Sequence, residues 1–476
     1  MGITRLRELD SPAAVTAGGR TLSYAELRGA AGALAAQFEG AGRAAVWAQN
    51  TLEAIIAMVA CLECGVELVP LNPKLGSSEL EHILSDACPD LVIGGPDAGV
   101  GGTHSGVPQL TVDPDARGNL PEQSFDDERP ALVIYTSGTT GRPKGVLLPG
   151  RAITSNLDAI ARAWAWTERD TLTHALPIFH VHGLVLGIFG PLRRGGHVHH
   201  LERFTPEAVA AALSGGASML FGVPTMYHRL AEAARADPAV AGALRGARLL
   251  VSGSAGLPAR TFEQIRLTTG QRIVERYGLT ETIMNTAVRA DGERRPGEVG
   301  RPLEGVELRI VAEDGSDAPA DGETIGEVVV KGPNLFLGYL NRPDATAEAV
   351  RDGWFWSGDL ATVAPDGYLR IVGRKSTDLI KTGGYKVGAG EIEGALLEHA
   401  AVSEAAVKGE RDEDLGERII AWVVLTGGTS VPSERDLADH VAVLLAPHKR
   451  PRAVHFVSEL PRNAMGKVIK QQLVAG

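Results

Sequence analysis

The sequence predicts an α/β protein, with a large N-terminal domain of layered α/β subdomains that includes a β-rich segment, and a small α+β C-terminal domain. Three observations carry this expectation. Over the first hundred residues, apolar runs of strand length alternate with helical patterns, as expected for parallel strands covered by helices. After about residue 296 strand-like runs dominate. The last hundred residues return to a compact mixed pattern, and the character changes near residues 373–376. The expected domains are therefore 1–373 and 374–476.

The elements follow in order. Ser23-x-x-Glu26 reads as a capping box opening a helix to about residue 38. GRAAVWA (42–48) is strand-like, TLEAIIAMVACLE (51–63) reads as a packed helix, VELVPLN (66–72) as a strand, SSELEHILSDA (77–87) as a helix and DLVIGG (90–95) as a strand. Residues 96–130, rich in Gly, Pro and Asp, read as a surface excursion. Helices are expected near 151–165, 206–213 and 258–268, and strands near 171–176, 218–222 and 248–251. Then come VELRIV (306–311), GEVVVKG (326–332) and a hairpin closed by Pro365-Asp366-Gly367. In the C-terminal part, EIEGALLEH and SERDLADHVAVLLA read as helices, and SEAAVKG and ERIIAWVVL as strands.

Composition narrows the function. The 476 residues are 44% apolar and 22% charged, with a net charge of −11, which disfavours a general nucleic-acid partner. No apolar run approaches the ~20 residues that cross a bilayer. The start MGITRLRELDSPAAV has no apolar signal core. Three cysteines (Cys61, Cys64, Cys88) do not make a disulfide framework, so a cytoplasmic setting is expected. Cys61-x-x-Cys64 falls inside an apolar helical run and has no second pair, so buried structural cysteines are the better reading than a metal or redox pair. His197, His199 and His200 lack the partners of a metal site and read as a solvated strand edge. A monomer is the working expectation.

YTSGTTGRPKG (135–145) follows the apolar run ALVI and concentrates hydroxyls, glycines and one lysine. It is not G-x-x-x-x-G-K-[ST]. The stretch after it, GVLLP, is strand-like, so the loop joins two strands with no helix dipole behind it. Phosphate would be held by backbone N–H groups, by the hydroxyls of Thr136, Ser137, Thr139 and Thr140 beside Gly138, and by the charge of Lys144.

This run resembles the signature of the adenylate-forming ligase superfamily, which includes acyl-CoA synthetases, luciferases and the adenylation domains of peptide synthetases. ALPIFHVHG (175–183), VSGSAGL (251–257), ERYGLTE (275–281), WFWSGDL (354–360), GRKSTDLIKTGGYKVGAGEIE (373–393) and PRNAMGKVIK (461–470) follow in the superfamily's order, so the resemblance spans essentially the whole chain. It implies a large N-terminal domain with a small mobile domain above it, and ATP, Mg2+ and CoA as reactants or cofactors. In that chemistry a carboxylate attacks the α-phosphate and expels pyrophosphate, and a thiol then displaces AMP.

The resemblance also implies roles. The loop 136–144 holds the β- and γ-phosphates. Thr280 meets the α-phosphate, Glu281 ligates Mg2+ with Thr139, and Tyr277 stacks on adenine opposite Gly253, Ser254 and Ala255. Glu275, Arg276 and Gly278 complete that nucleotide strand. Asp359 accepts the ribose hydroxyls, Arg374 reaches ribose or phosphate, and Lys467 bridges the two reacting anions. His180 lies near the acyl carboxylate and thiol path. Gly383 and Gly384, with Lys381, serve the CoA step, and Arg450 in the basic run 448–452 is a further CoA candidate. The small domain rotates about a hinge near Lys375. One extra residue separates Arg374 from the glycine pair relative to the common pattern, so the hinge position stays open.

The acid is suggested by Arg276. An arginine in an acyl pocket is costly to desolvate without an anion, and a second carboxylate would satisfy it bidentately. The bland alternative is an ion pair with Glu275 or a neighbour. HVHG and ERYGLTETIMNT are similar to malonyl-CoA synthetases, including those accepting methylmalonate. Arg276 and Ser254 are the expected distal-carboxylate ligands, with His182 and Arg229 as weaker candidates. The rivals are another short-chain acyl-CoA synthetase, a carrier-protein-directed adenylating enzyme, a luciferase-like oxygenase and a non-catalytic nucleotide sensor. Because the chain ends soon after Lys467, a free-standing ligase is expected.

Overall fold

A computed structural model describes residues 2–38, 40–94, 107–122, 126–136, 142–427, 430–462 and 468–474. The expected Ser23 capping box is present. Ser23 Oγ accepts the Glu26 N–H, and Glu26 returns a carboxylate to the Ser23 N–H at 2.8 Å, opening the helix Tyr24–Ala35. Such a cap stabilises a helix by about 1 kcal/mol. The helix Leu52–Glu63 is buried on nearly every face, with Cys61 inside it. An all-round apolar sequence requires that position.

Two sheets form the layered part. Among the described residues, one runs Gly338–Tyr339, Lys144–Pro149, Pro130–Thr136, Glu67–Leu71, Arg43–Trp47, Leu91–Ile93 and Gln109–Leu110. Its five strands from Pro130–Thr136 to Gln109–Leu110 are parallel neighbours, whereas Lys144–Pro149 pairs antiparallel with Pro130–Thr136. The phosphate loop does join two strands. The excursion 96–130 is more integrated than expected: Gln109–Leu110 extends the sheet, and the Gly118 N–H donates to Gly29 O at 2.8 Å.

The second sheet has at its centre the parallel strands Val15–Ala17, His197–His200, Thr171–His174, Met219–Gly222, Leu249–Ser252 and Val274–Tyr277. This corrects the reading of His197–His200 as a solvated edge, because that strand has a partner on each side. His197 and His199 share a face, as alternation requires, with rings stacked at 6.4 Å. His197 Nε2 is 2.8 Å from Thr16 Oγ1. No cluster of metal-ligating residues occurs among the described residues.

The β-rich part is an antiparallel sheet of Glu307–Val311, Gly326–Lys331, Trp354–Val363, Val350–Arg351 and Leu369–Arg374. Its Pro365–Gly367 turn has Gly367 at φ +85°, a conformation open to glycine. The C-terminal sheet comprises Tyr385–Gly388, Leu379–Thr382, Gly416–Leu425, Val402–Asp412 and Ala453–Phe456. It packs the helices Ala389–Glu398 and Glu434–Leu444 into its own core around Ile392, Leu396, Leu437 and Val441. The helices Pro224–Ala236 and Pro238–Gly246, and the π-helix His182–Phe189, carry no prior expectation from periodicity. The π-helix segment is apolar on all sides, so no 3.6-residue stripe marks it.

Candidate active site

Ligands of open parallel sheets bind beyond the carboxyl ends of the strands. Here Thr171–His174 leads into His180 and His182, Leu249–Ser252 into Gly253 and Ser254, and Val274–Tyr277 into Gly278, Thr280 and Glu281. Strand direction alone thus brings together three motifs distant in sequence.

Arg276 is 5% exposed, and its Nε and Nη2 have no hydrogen-bond partner among the described residues. Its guanidinium packs against Gly253, where a Cβ would come within 2.2 Å of Cζ, so any side chain at 253 would have to displace the arginine. Burial pulls its pKa down to about 9, which leaves it charged at neutral pH. His182 is beside it. Burial, and then the Arg276 charge, hold that imidazole well below its ordinary pKa and so neutral. His182 Nδ1 is 3.4 Å from Ser254 Oγ, and Ser254 is held at φ +70°, a strained value for a non-glycine residue. The structure therefore assembles Arg276, His182 and Ser254 as expected, with His180 two residues before His182 and against Phe179 at 4.4 Å between centroids. Arg229 is a correction: it is exposed on its helix, so the desolvation argument for an anion does not apply to it.

Glu275 is not the partner of Arg276. Strand alternation turns the two to opposite faces. Glu275, 3% exposed, accepts the Gly297 N–H at 2.8 Å and the Leu257 N–H at 3.3 Å. Both carboxylate oxygens serve the protein rather than a nucleotide, which corrects its expected direct contact. It ties down the far end of the 253–256 loop. Burial raises its pKa from 4.5 to about 7, against the opposing effect of those two N–H bonds. A raised folded-state pKa means stability that is full below pH 4.5 and is lost as pH rises through 7. The interval corresponds to about 3 kcal/mol. Glu275→Gln is expected to flatten the decline of Tm between pH 4.5 and 7; parallel Tm–pH slopes for the two proteins would refute this.

The nucleoside end is built from three elements. Tyr277, buried, donates its hydroxyl to Asp359 Oδ2 at 2.6 Å. Asp359, in the strand Trp354–Val363, also holds Arg374 Nε at 2.8 Å, and Arg374 donates to Ser357 O at 2.9 Å. The Asp359 N–H is fixed by Ser357 Oγ at 3.0 Å. Lys375 pairs with Glu327 at 2.8 Å.

At the phosphate end, Thr136 and Lys144 are register partners across the loop's two strands. Ser137, Gly138, Thr139, Thr140 and Lys467 lie outside the described residues. Thr280 is half-buried. Glu281 Oε1 accepts the Tyr339 hydroxyl at 2.9 Å, and Lys144 Nζ sits 4.3 Å over the same ring. Tyr339 was missed in the sequence, where NLFLGYL looks like any apolar run.

In the C-terminal part, Gly383 and Gly384 form an exposed turn at φ +56° and +81° beside exposed Lys381. Tyr385 stacks on His448 at 4.0 Å, which joins this turn to the basic run. The run is less free than its charge count suggests: Arg450 pairs with Asp439 at 2.7 Å and Lys449 with Glu391 at 2.5 Å.

A Tyr277–Asp359–Arg374 set, a phosphate loop flanked by two strands of the first sheet and an anion-seeking pocket at the carboxyl ends of the second define an adenylate-forming enzyme. The chain belongs to the AMP-binding enzyme family: residues 5–340 match that family's model and residues 391–467 match the AMP-binding enzyme C-terminal domain. It is 37% identical to the mitochondrial malonate–CoA ligase ACSF3 of Bos taurus, over 91% of this chain and 81% of that protein. Among solved structures it resembles a malonyl-CoA ligase in a ternary product complex with methylmalonyl-CoA and AMP, at 59% identity and a TM-score of 0.75, covering 95% of this chain and 97% of that one. It also resembles ATP-bound MatB from Rhodopseudomonas palustris, at 36% identity and a TM-score of 0.88, covering 99% and 98%.

Proposed function

We propose that this enzyme activates malonate or methylmalonate with ATP and transfers the acyl group to CoA, releasing AMP and pyrophosphate. The observation that carries the choice of acid is the buried guanidinium of Arg276, whose Nε and Nη2 have no hydrogen-bond partner among the described residues. A buried charge of this kind needs a counter-anion, and the far carboxylate of a short diacid supplies one. Neutral His182 and Ser254 Oγ are the accompanying polar contacts, and His180 lies on the acyl side.

In the first step a substrate carboxylate oxygen forms a bond to the α-phosphorus and the bond to pyrophosphate breaks. Asp359 and Arg374 hold the ribose, and Tyr277 and the loop 253–256 hold the adenine. Thr280 meets the α-phosphate, and Thr136 and Lys144 with residues 137–140 hold the leaving phosphates. Lys467 screens the two anions. Glu281, with Thr139, would hold Mg2+; a carboxylate oxygen suits that hard cation, which supplies neutralisation of phosphate charge. In the second step the CoA sulfur bonds to the acyl carbon and AMP departs, with Lys381, Gly383 and Gly384 on the CoA path.

Domains at 1–373 and 374–476, with rotation about Lys375, belong to the same proposal. The more identical, product-bound relative superposes less well than the ATP-bound one, which is what a reoriented small domain produces. A cytoplasmic location is part of this reading, and no helix among the described residues is long and apolar enough to cross a membrane.

The test is pyrophosphate release with a panel of acids, with and without CoA. Release that requires malonate or methylmalonate, with sustained turnover only when CoA is present, is expected. Equal activity with acetate or an aryl acid would refute the assignment.

A further inference from the structure

Tyr339 lies between two charged groups, Glu281 and Lys144. It sits in the two-residue strand Gly338–Tyr339, which pairs with Leu147 and Val146 in the strand that Lys144 opens. Its hydroxyl donates to Glu281 Oε1 at 2.9 Å, and its face carries Lys144 Nζ at 4.3 Å. The ring itself is fixed. It is 9% exposed, Phe336 packs edge-on at 5.0 Å, and the Tyr339 N–H donates to Thr346 Oγ1 at 2.9 Å. Phe336 in turn donates its N–H to Glu281 O at 2.8 Å.

We propose that Tyr339 is the positioning residue of the metal–pyrophosphate end: one rigid ring aims the Glu281 carboxylate and seats the Lys144 ammonium, so that both meet the same triphosphate. The inference rests on the roles proposed above for Glu281 and Lys144. Its physical basis is preorganisation. Glu281 and Lys144 are flexible side chains on separate segments, and ordering each on binding would cost rotamer entropy. A hydrogen bond and a cation–π contact on one aromatic remove part of that cost in advance. A purely structural tyrosine would affect stability and leave the metal dependence alone.

The experiment uses the full chain with Tyr339→Phe, Tyr339→Leu and Glu281→Gln. Mn2+ binding in the presence of α,β-methylene-ATP is read by electron paramagnetic resonance, and the Mg2+ concentration at half-maximal pyrophosphate release is measured alongside Tm. Tyr339→Phe is expected to weaken Mn2+ binding and raise the half-saturating Mg2+ together by roughly three- to tenfold. Tyr339→Leu adds a rise in the KM for ATP at saturating Mg2+, because Lys144 loses its seat. Unchanged Mn2+ affinity and Mg2+ dependence in Tyr339→Phe would overturn the proposal, while loss of Mn2+ binding in Glu281→Gln would keep the metal role standing. If Glu281→Gln also left Mn2+ affinity unchanged, the metal role of Glu281 would fall, and this proposal with it. Should the leucine variant fail to fold, the phenylalanine variant decides alone.

Discussion

Replacing Arg276 with methionine is expected to lower kcat/KM for malonate at least a hundredfold, about 3 kcal/mol or more, mostly through KM. The guanidinium is buried, with Nε and Nη2 unpartnered among the described residues, so a bound diacid is expected to make charge-assisted bonds there. The same variant is expected to raise the Tm of the ligand-free enzyme. It removes an uncompensated buried charge and substitutes an apolar chain of similar length. Loss of diacid activity with gain of stability separates a binding arginine from a structural one, because a structural arginine would lose both. Arg276→Lys should fall between, since lysine keeps the charge and loses the planar fork. Unchanged malonate kinetics in Arg276→Met would end the dicarboxylate assignment.

Asp359→Ala has the second largest expected effect. This carboxylate receives the Tyr277 hydroxyl at 2.6 Å and Arg374 Nε at 2.8 Å. Removing it strands a buried hydroxyl and frees the arginine before nucleotide arrives. The KM for ATP is expected to rise by roughly a hundredfold, with a stability loss of about 2–4 kcal/mol. Asp359→Asn keeps one acceptor oxygen and the shape, so a rise of roughly tenfold is expected. The KM for malonate at saturating ATP should stay near the parent value. An Asp359→Ala enzyme with the parent KM for ATP would exclude Asp359 from the ribose site.

Much of the fold was legible because it rests on local rules. The capping box at Ser23, the buried helix Leu52–Glu63, the strand pair around the phosphate loop and the turn at Gly367 each follow from a few neighbouring residues. The motifs likewise marked Arg276, Ser254, His182, Tyr277 and Asp359. What escaped were relations between segments. His197–His200 reads as an edge because its alternation is half polar, yet parallel partners cover both sides. Glu275 falls within the ERYGLTE motif, yet the one-residue flip of the strand turns its side chain to the face opposite Arg276, where it accepts the Gly297 and Leu257 N–H groups. Arg450 looks free until Asp439 is seen beside it. Tyr339 carries no signal, because its importance comes from what two other segments place against it.

By itself, then, the order of residues determined the chemistry on offer: a hydroxyl-rich loop, acids and bases in motif order, and an arginine at position 276 within ERYGLTE. Those features depend on short spacings, and spacing is written in the chain. Only the tertiary structure decided which charges remained available. Ion pairing and desolvation depend on distance through space, so whether a guanidinium is paired within the protein, as Arg450 is with Asp439, or buried with Nε and Nη2 unpartnered among the described residues, as Arg276 is, becomes determinate once the strands are packed side by side.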